Sequence, residues 1–161
     1  MTVAGGVRSA GRGGEVRYVD RREIFAGHWL FQGLAPDAIA ALVARTRLQR
    51  ARRGKTIFRK GSEGTAMMAV LQGSVKICVA SAKGREAVLN IIGAGQVFGE
   101  IALLDGGPRT ADAVAQTDCD LLVLERRDLL PVLRANPDMA LRIMAVLCRR
   151  LRRTSEQVED A

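Results

Sequence analysis

A single histidine in 161 residues removes more chemistry than any other scarcity in this chain. Metal centres on small barrels are built on clustered histidines, so a metal-dependent barrel has no ligand set here and no metal is expected. Nucleophilic catalysis falls on the same ground. Ser62, Ser74, Ser81 and the cysteines lack a histidine base, because His28 stands apart, beside Trp29 in an N-terminal apolar stretch. The chain is therefore not expected to be an enzyme. Cysteine is also scarce: Cys78, Cys119 and Cys148 lie far apart with no CxxC pair. That pattern fits three small buried hydrophobes in a reducing, cytoplasmic setting, without disulfides and without the cysteine cluster an iron–sulfur centre requires. No apolar run approaches the ~18 residues of a membrane span, so no membrane partner is expected. Two phosphate loops are missing as well. No Gly-Lys-Ser/Thr occurs at a phosphate-loop position, and Gly93, Gly95 and Gly99 have the wrong last interval for GxGxxG, with no room for a long helix before Gly106-Gly107-Pro108.

What is present is the material for one domain. Hydrophobic content is 48%, enough for a core at this length. Lysine and arginine exceed aspartate and glutamate by 25 to 17, a net charge of +8 that favours anionic partners without specifying one. The basic runs Arg8–Arg22, Arg45–Lys60 and Arg149–Arg153 read first as solvated faces.

Composition divides the chain in three. Residues 1–19, rich in Gly, Arg and Ser, read as a disordered basic tail. Residues 20–135 open with a short apolar helical piece (Ile24, Phe25, Trp29, Leu30, Phe31) and a helix started by Pro36-Asp37. Short strands punctuated by glycine follow: Thr56–Phe58, Ala66–Leu71, Ser74–Val79, Ala87–Ile92, Ala111–Ala115 and Asp120–Leu124. That texture indicates a barrel or roll in an α+β arrangement. A short helix begins at Arg126, with Pro131 in its first turns. Residues 136–161 form the longest helix, on which Leu141, Met144, Cys148, Leu151, Ser155 and Val158 recur at intervals of three and four. The stripe fits either a helix laid on its own barrel or a parallel dimer seam.

Phe98-Gly-Glu-Ile-Ala-Leu-Leu-Asp-Gly-Gly-Pro-Arg-Thr-Ala111 carries the chemistry. Gly99 permits close approach of backbone to a ligand, Glu100 can accept from sugar hydroxyls, and a short apolar turn offers free N–H groups. Pro108 stiffens the chain just before Arg109, whose planar guanidinium suits phosphate oxygens. Together these could grip a sugar carrying one buried phosphate. A surface turn in which Glu100 and Arg109 pair only with each other is the alternative.

From about Trp29 to Glu159 the sequence resembles the cyclic nucleotide-binding domain, and most closely the sensor half of CRP/FNR-type bacterial transcription regulators. The Phe98–Ala111 segment is similar to that family's phosphate-binding cassette, FGE(I/L)(A/S)LL…PR(T/S)A, without a gap. Leu30-Phe31-Gln32-Gly33-Leu34, Gly54-Lys55-Thr56-Ile57-Phe58 and Gln72-Gly73-Ser74-Val75 add to the likeness. The resemblance implies a double-stranded β-helix, a jelly-roll-like β-roll, flanked by N-terminal helices and a long C-terminal helix. It implies that Arg109 pairs with the cyclic phosphate, that Glu100 accepts from the ribose 2′-OH, and that backbone around Gly99, Ile101 and Ala102 completes the cradle. Phe98, Ile77, Leu89 and Ile92 would line the pocket, Thr110 would sit near phosphate and base, and Thr154 and Ser155 would reach the adenine, one of them from a partner subunit. Cyclic AMP is thereby favoured as the ligand and cyclic GMP left open, with a homodimer through the C-terminal helix. Such regulators continue into a helix-turn-helix DNA reader, whereas this sequence stops at Ala161. Either a sensor separated from its DNA-binding domain or a stand-alone or channel- or kinase-type module acting on another protein is expected. A ligand-independent, DNA-contacting basic protein is the rival class.

Overall fold

The computed structural model describes residues 7–10 and 16–159, with side chains from Val19 onward. Val7–Ala10 (β1) and Val16–Val19 (β2) pair antiparallel, Val7 opposite Val19. This departs from the expected tail. Two four-residue runs that each open on valine flank a glycine-rich stretch, a pattern that the overall composition hid. The remainder of the expected tail, residues 1–6 and 11–15, lies outside the described residues.

Asp20 caps helix α1 (Arg21–Ala26), its carboxylate accepting from the Arg22 N–H at 2.9 Å. A 3-10 turn at Trp29–Phe31 and α2 (Pro36–Arg45) follow. The strands are β3 (Arg47–Ala51), β4 (Thr56–Phe58), β5 (Ala66–Gln72), β6 (Val75–Ala80), β7 (Glu86–Ile92), β8 (Val97–Phe98), β9 (Asp112–Ala115) and β10 (Cys119–Glu125). Helix α3 (Glu100–Asp105) interrupts them between β8 and β9; α4 (Arg126–Ala135) and α5 (Pro137–Glu159) close the chain. The strands from β3 on form two antiparallel sheets, ordered β3-β10-β5-β8 and β4-β9-β6-β7. The result is the α+β double-stranded β-roll expected.

The unbroken apolar run in β5 follows from being covered on both faces. Met67, Ala69 and Leu71 pack toward the helices with Phe25, Phe31, Leu103 and Leu129. Ala66, Met68 and Val70 point between the sheets with Val75, Phe98 and Ala113. β10 divides in the same way, Leu122 and Leu124 against the helices and Leu121 and Val123 between the sheets.

Two further strands, β3 and β8, escaped the sequence reading. β3 is an arginine-rich edge whose Arg50 pairs with Asp120 across the sheet at 3.4 Å, so it read as a solvated basic run. β8 is only two residues long. Pro131 is the sixth residue of α4, within its first two turns as expected, where it removes one helical hydrogen bond. Cys78 and Cys119 are buried, but Cys148 is exposed on α5.

Only the first third of α5 belongs to the body: Met139 and Ile143 are buried. Leu141, Met144, Leu151 and Val158 are 61%, 52%, 67% and 72% exposed. Farther along, the Arg150 guanidinium stacks 4.6 Å from the centre of the Trp29 ring.

Candidate ligand site

Arg109 is the only buried charged side chain among the described residues, at 7% exposure. Its backbone is clamped: its N–H donates to the Ser62 carbonyl and its own carbonyl accepts from the Gly61 N–H, both at 2.8 Å. One guanidinium nitrogen donates to the Ala66 carbonyl at 2.8 Å and another to the Gly99 carbonyl at 3.2 Å. The group stacks over Phe58 at 4.1 Å. Its buried Nε has no partner, and no ion pair among the described residues joins it to Glu100 or any other acid. Burial lowers the guanidinium pKa from its ordinary value, and the Glu125 carboxylate opposes that shift. An arginine still holds its proton under such conditions, so the fold keeps a cation out of water without a contacting counter-ion.

Two glycines make this possible. Gly99 has φ +79°, and a Cβ there would stand 2.7 Å from an Arg109 nitrogen. Gly64 has ordinary backbone angles, yet a Cβ would lie 2.8 Å from Arg109 Nε and 2.5 Å from the Ala102 Cβ. Gly106, also left-handed, ends α3, and the Asp105 carboxylate accepts from the Gly107 N–H at 2.7 Å to hold the turn that leads into Pro108.

The guanidinium borders a cavity of about 220 Å³. Ile77, Ile92, Phe98, Gly99, Glu100, Ile101, Ala102, Arg109 and Thr110, all singled out from sequence, line it. Phe58, Asn90, Val97, Pro108 and Ala111 complete the lining, and Asn90 carries the polar side chain the sequence reading missed. Strand alternation was the available signal. Residues 90 and 92 share a face of β7, so Leu89 points away and is 60% exposed, outside the lining. Thr154 and Ser155 do not line it within one protomer either. They are exposed, and their hydroxyls donate to the Arg150 and Leu151 carbonyls of their own helix at 3.0 and 3.1 Å.

Glu100, the first residue of α3, is half-buried and close enough to His28 to act on its charge. Burial lowers the His28 pKa; Glu100 opposes the shift and Arg150 reinforces it. His28 Nδ1 accepts from the Leu30 N–H at 3.3 Å, as a neutral ring can. Among the described residues no group of three or more His, Cys, Asp or Glu side chains converges, and no helix is long and apolar enough to cross a membrane. The arrangement can therefore hold an anion beside a polar, hydrogen-bonding group in an apolar slot.

Known proteins are similar to this chain in sequence and fold. The family model described as the cyclic nucleotide-binding domain matches residues 48–136. The CRP-like cAMP-activated global transcriptional regulator of Mycobacterium tuberculosis is 36% identical over 138 residues, covering 86% of this chain and 62% of that protein. The cyclic AMP receptor protein of Thermus thermophilus is 38% identical over 133 residues, covering 83% of this chain and 62% of that protein. The chain thus spans about three fifths of the length of these relatives. Among solved structures, the N-terminal domain of a transcriptional regulator from Streptomyces coelicolor superposes with a TM-score of 0.73 at 35% identity, over 84% of this chain and 94% of that one. The sensor domain of the transcriptional regulator DNR from Pseudomonas aeruginosa gives 0.74 at 26% identity, over 84% and 91%.

Proposed function

Since the chain belongs to the cyclic nucleotide-binding domain family, as a sensor domain of the CRP/FNR type, we propose that its cavity binds a 3′,5′-cyclic nucleotide, cyclic AMP in preference to cyclic GMP. Arg109 takes the phosphate, Glu100 accepts from the ribose 2′-OH, and the backbone of Gly99, Ile101 and Ala102 closes around them. The observation that carries this reading is the state of Arg109, a buried cation facing a cavity with one nitrogen unbonded and no contacting acid. A phosphate monoanion supplies what it lacks, in a dry site where a charge-assisted pair is strongest.

Residues 20–135 form the sensing body and residues 136–161 a dimerisation helix. The exposed stripe Leu141, Met144, Cys148, Leu151, Ser155 and Val158 supports a homodimer, because its spacing is that of a parallel two-helix seam. Across that seam Thr154 and Ser155 of one copy reach the base held by the other, which couples ligand to the geometry of α5. DNA is contacted by a domain outside this chain, and the protein acts in the cytoplasm as a receptor without catalytic activity.

Calorimetry with cyclic AMP and cyclic GMP tests the reading. Removing the guanidinium with Arg109→Ala is expected to cost roughly 2–4 kcal/mol of affinity. Wild-type protein that gives no heat with either nucleotide at millimolar concentration overturns the proposal.

A further inference from the structure

Resting on that reading of the cavity, we infer that Phe58 is a positioning residue of the phosphate grip, aiming the Arg109 guanidinium through the face of its ring. The guanidinium carbon lies 4.1 Å from the centre of that ring, and no carboxylate pairs with the group among the described residues. The ring stands where an acid would otherwise be expected.

That exchange decides what the arginine can still do. A carboxylate would neutralise the charge and occupy N–H donors, whereas an aromatic face attracts a cation through its quadrupole and leaves it charged. Of the five N–H groups a guanidinium carries, two are used, on the Ala66 and Gly99 carbonyls at 2.8 and 3.2 Å. The others stay open to phosphate oxygens. Ring and carbonyls together therefore hold the fork in one orientation without satisfying it.

Local backbone explains how the ring arrives there. In the β4–β9 ladder Thr56 pairs with Val114 and Phe58 with Ala113, so Ile57 is an extra residue and the strand bulges just before the ring. Phe98 flanks the ring, with centres 5.8 Å apart and planes tilted by 36°. The chain then runs on to Gly61 and Ser62, which clamp the Arg109 backbone. One short segment thus fixes the arginine twice, by main chain and by side chain. Phe58 is itself only half-buried and borders the cavity, so its ring serves the site more than the core.

The test is calorimetry of the full chain with cyclic AMP and with its two phosphorothioate diastereomers, in which sulfur replaces one or the other exocyclic phosphate oxygen. Phe58→Leu keeps apolar bulk and removes the ring face; Phe58→Tyr keeps the face. Without the ring, ordering the fork falls to the ligand. Cyclic AMP binding should weaken by about 3- to 30-fold in Phe58→Leu and stay within about 2-fold of wild type in Phe58→Tyr. An aimed fork also tells the two oxygens apart, so the wild-type preference between the diastereomers should narrow in Phe58→Leu and persist in Phe58→Tyr. Equal weakening of both diastereomers in Phe58→Leu, at an unchanged ratio, reduces Phe58 to packing and overturns the inference. An unchanged affinity, a Phe58→Tyr protein that behaves like Phe58→Leu, or a wild type that binds both diastereomers equally overturns it too, although the site reading survives. Wild type that binds neither cyclic AMP nor cyclic GMP overturns the site reading and this inference together.

Discussion

Between Phe98 and Ala111 the chain is held by its own protomer, whereas the outer half of α5 is held by almost nothing. In the first region, backbone clamps from Gly61 and Ser62, the Ala66 carbonyl and the Phe58 ring fix Arg109, and one nitrogen is left wanting. In the second, an apolar stripe runs the length of a 23-residue helix and only Met139 and Ile143 are covered. The unmet need in the cassette is one of charge, which a small anion satisfies. The unmet need in the helix is one of apolar area, which only another macromolecular surface satisfies. One protomer therefore carries the proposed phosphate grip nearly complete and an incomplete helix, and the two can be disrupted separately.

The largest effect is expected at the helix. Leu151→Glu places a charge in the proposed seam and forfeits about 1.5–3 kcal/mol of burial in each copy, before any repulsion between the two carboxylates. Sedimentation should then give a monomer that keeps the melting behaviour of the β-roll. An unchanged mass would remove the seam, and with it the contrast between the regions.

A smaller effect is expected at Gly64. Gly64→Ala drives a methyl into the Ala102 Cβ and the Arg109 side chain, an overpacking cost of about 1–3 kcal/mol. Chemical denaturation and calorimetry should show reduced stability and weakened nucleotide binding with an unchanged dimer mass. If stability and binding both stay at wild-type values, the guanidinium is not held as tightly as its surroundings indicate.

The smallest effect concerns the residue between the two regions. His28 senses Glu100 from the cassette and Arg150 from α5, and burial is the main cause of its lowered pKa. Its folded pKa lies below the ordinary 6.5, so the unfolded chain takes up the proton first as pH falls. The stability it contributes is complete above about 6.5 and is lost progressively below that value. Urea unfolding at neutral and mildly acidic pH should show this loss in wild type and less of it in His28→Asn. Equal pH dependence in both proteins would count against it.

The two regions also differed in how far they could be read from residues alone. The cassette was legible because its motif is contiguous in sequence from Phe98 to Ala111, although the contacts that fix Arg109 come from the distant Phe58, Ser62 and Ala66. Gly64 was not, because its function is set by Arg109 and Ala102, which meet it only in the folded chain. Leu89 was misplaced for a different reason. The family resemblance favoured it as a pocket residue, but strand alternation and a bulge in β7 gave the position to Asn90. β3 and the β1–β2 hairpin were hidden by arginine-rich or glycine-rich composition, although pairing, and not composition, makes a strand. The stripe on α5 was visible, but that the face carrying Met139 and Ile143, and not the stripe, meets the body was decided by packing in the folded chain.

Unfolding with and without cyclic AMP, in wild type and in Arg109→Met, tests most directly that Arg109 is a buried cation kept for a phosphate. The shorter, unbranched apolar side chain should leave ligand-free stability within about 1 kcal/mol of wild type, because the carbonyl contacts it loses are offset by the charge no longer buried. Saturating cyclic AMP, at about a hundred times its Kd, should stabilise wild type by about 2.7 kcal/mol and the variant by almost nothing. Equal stabilisation of both proteins by cyclic AMP would contradict that role for Arg109.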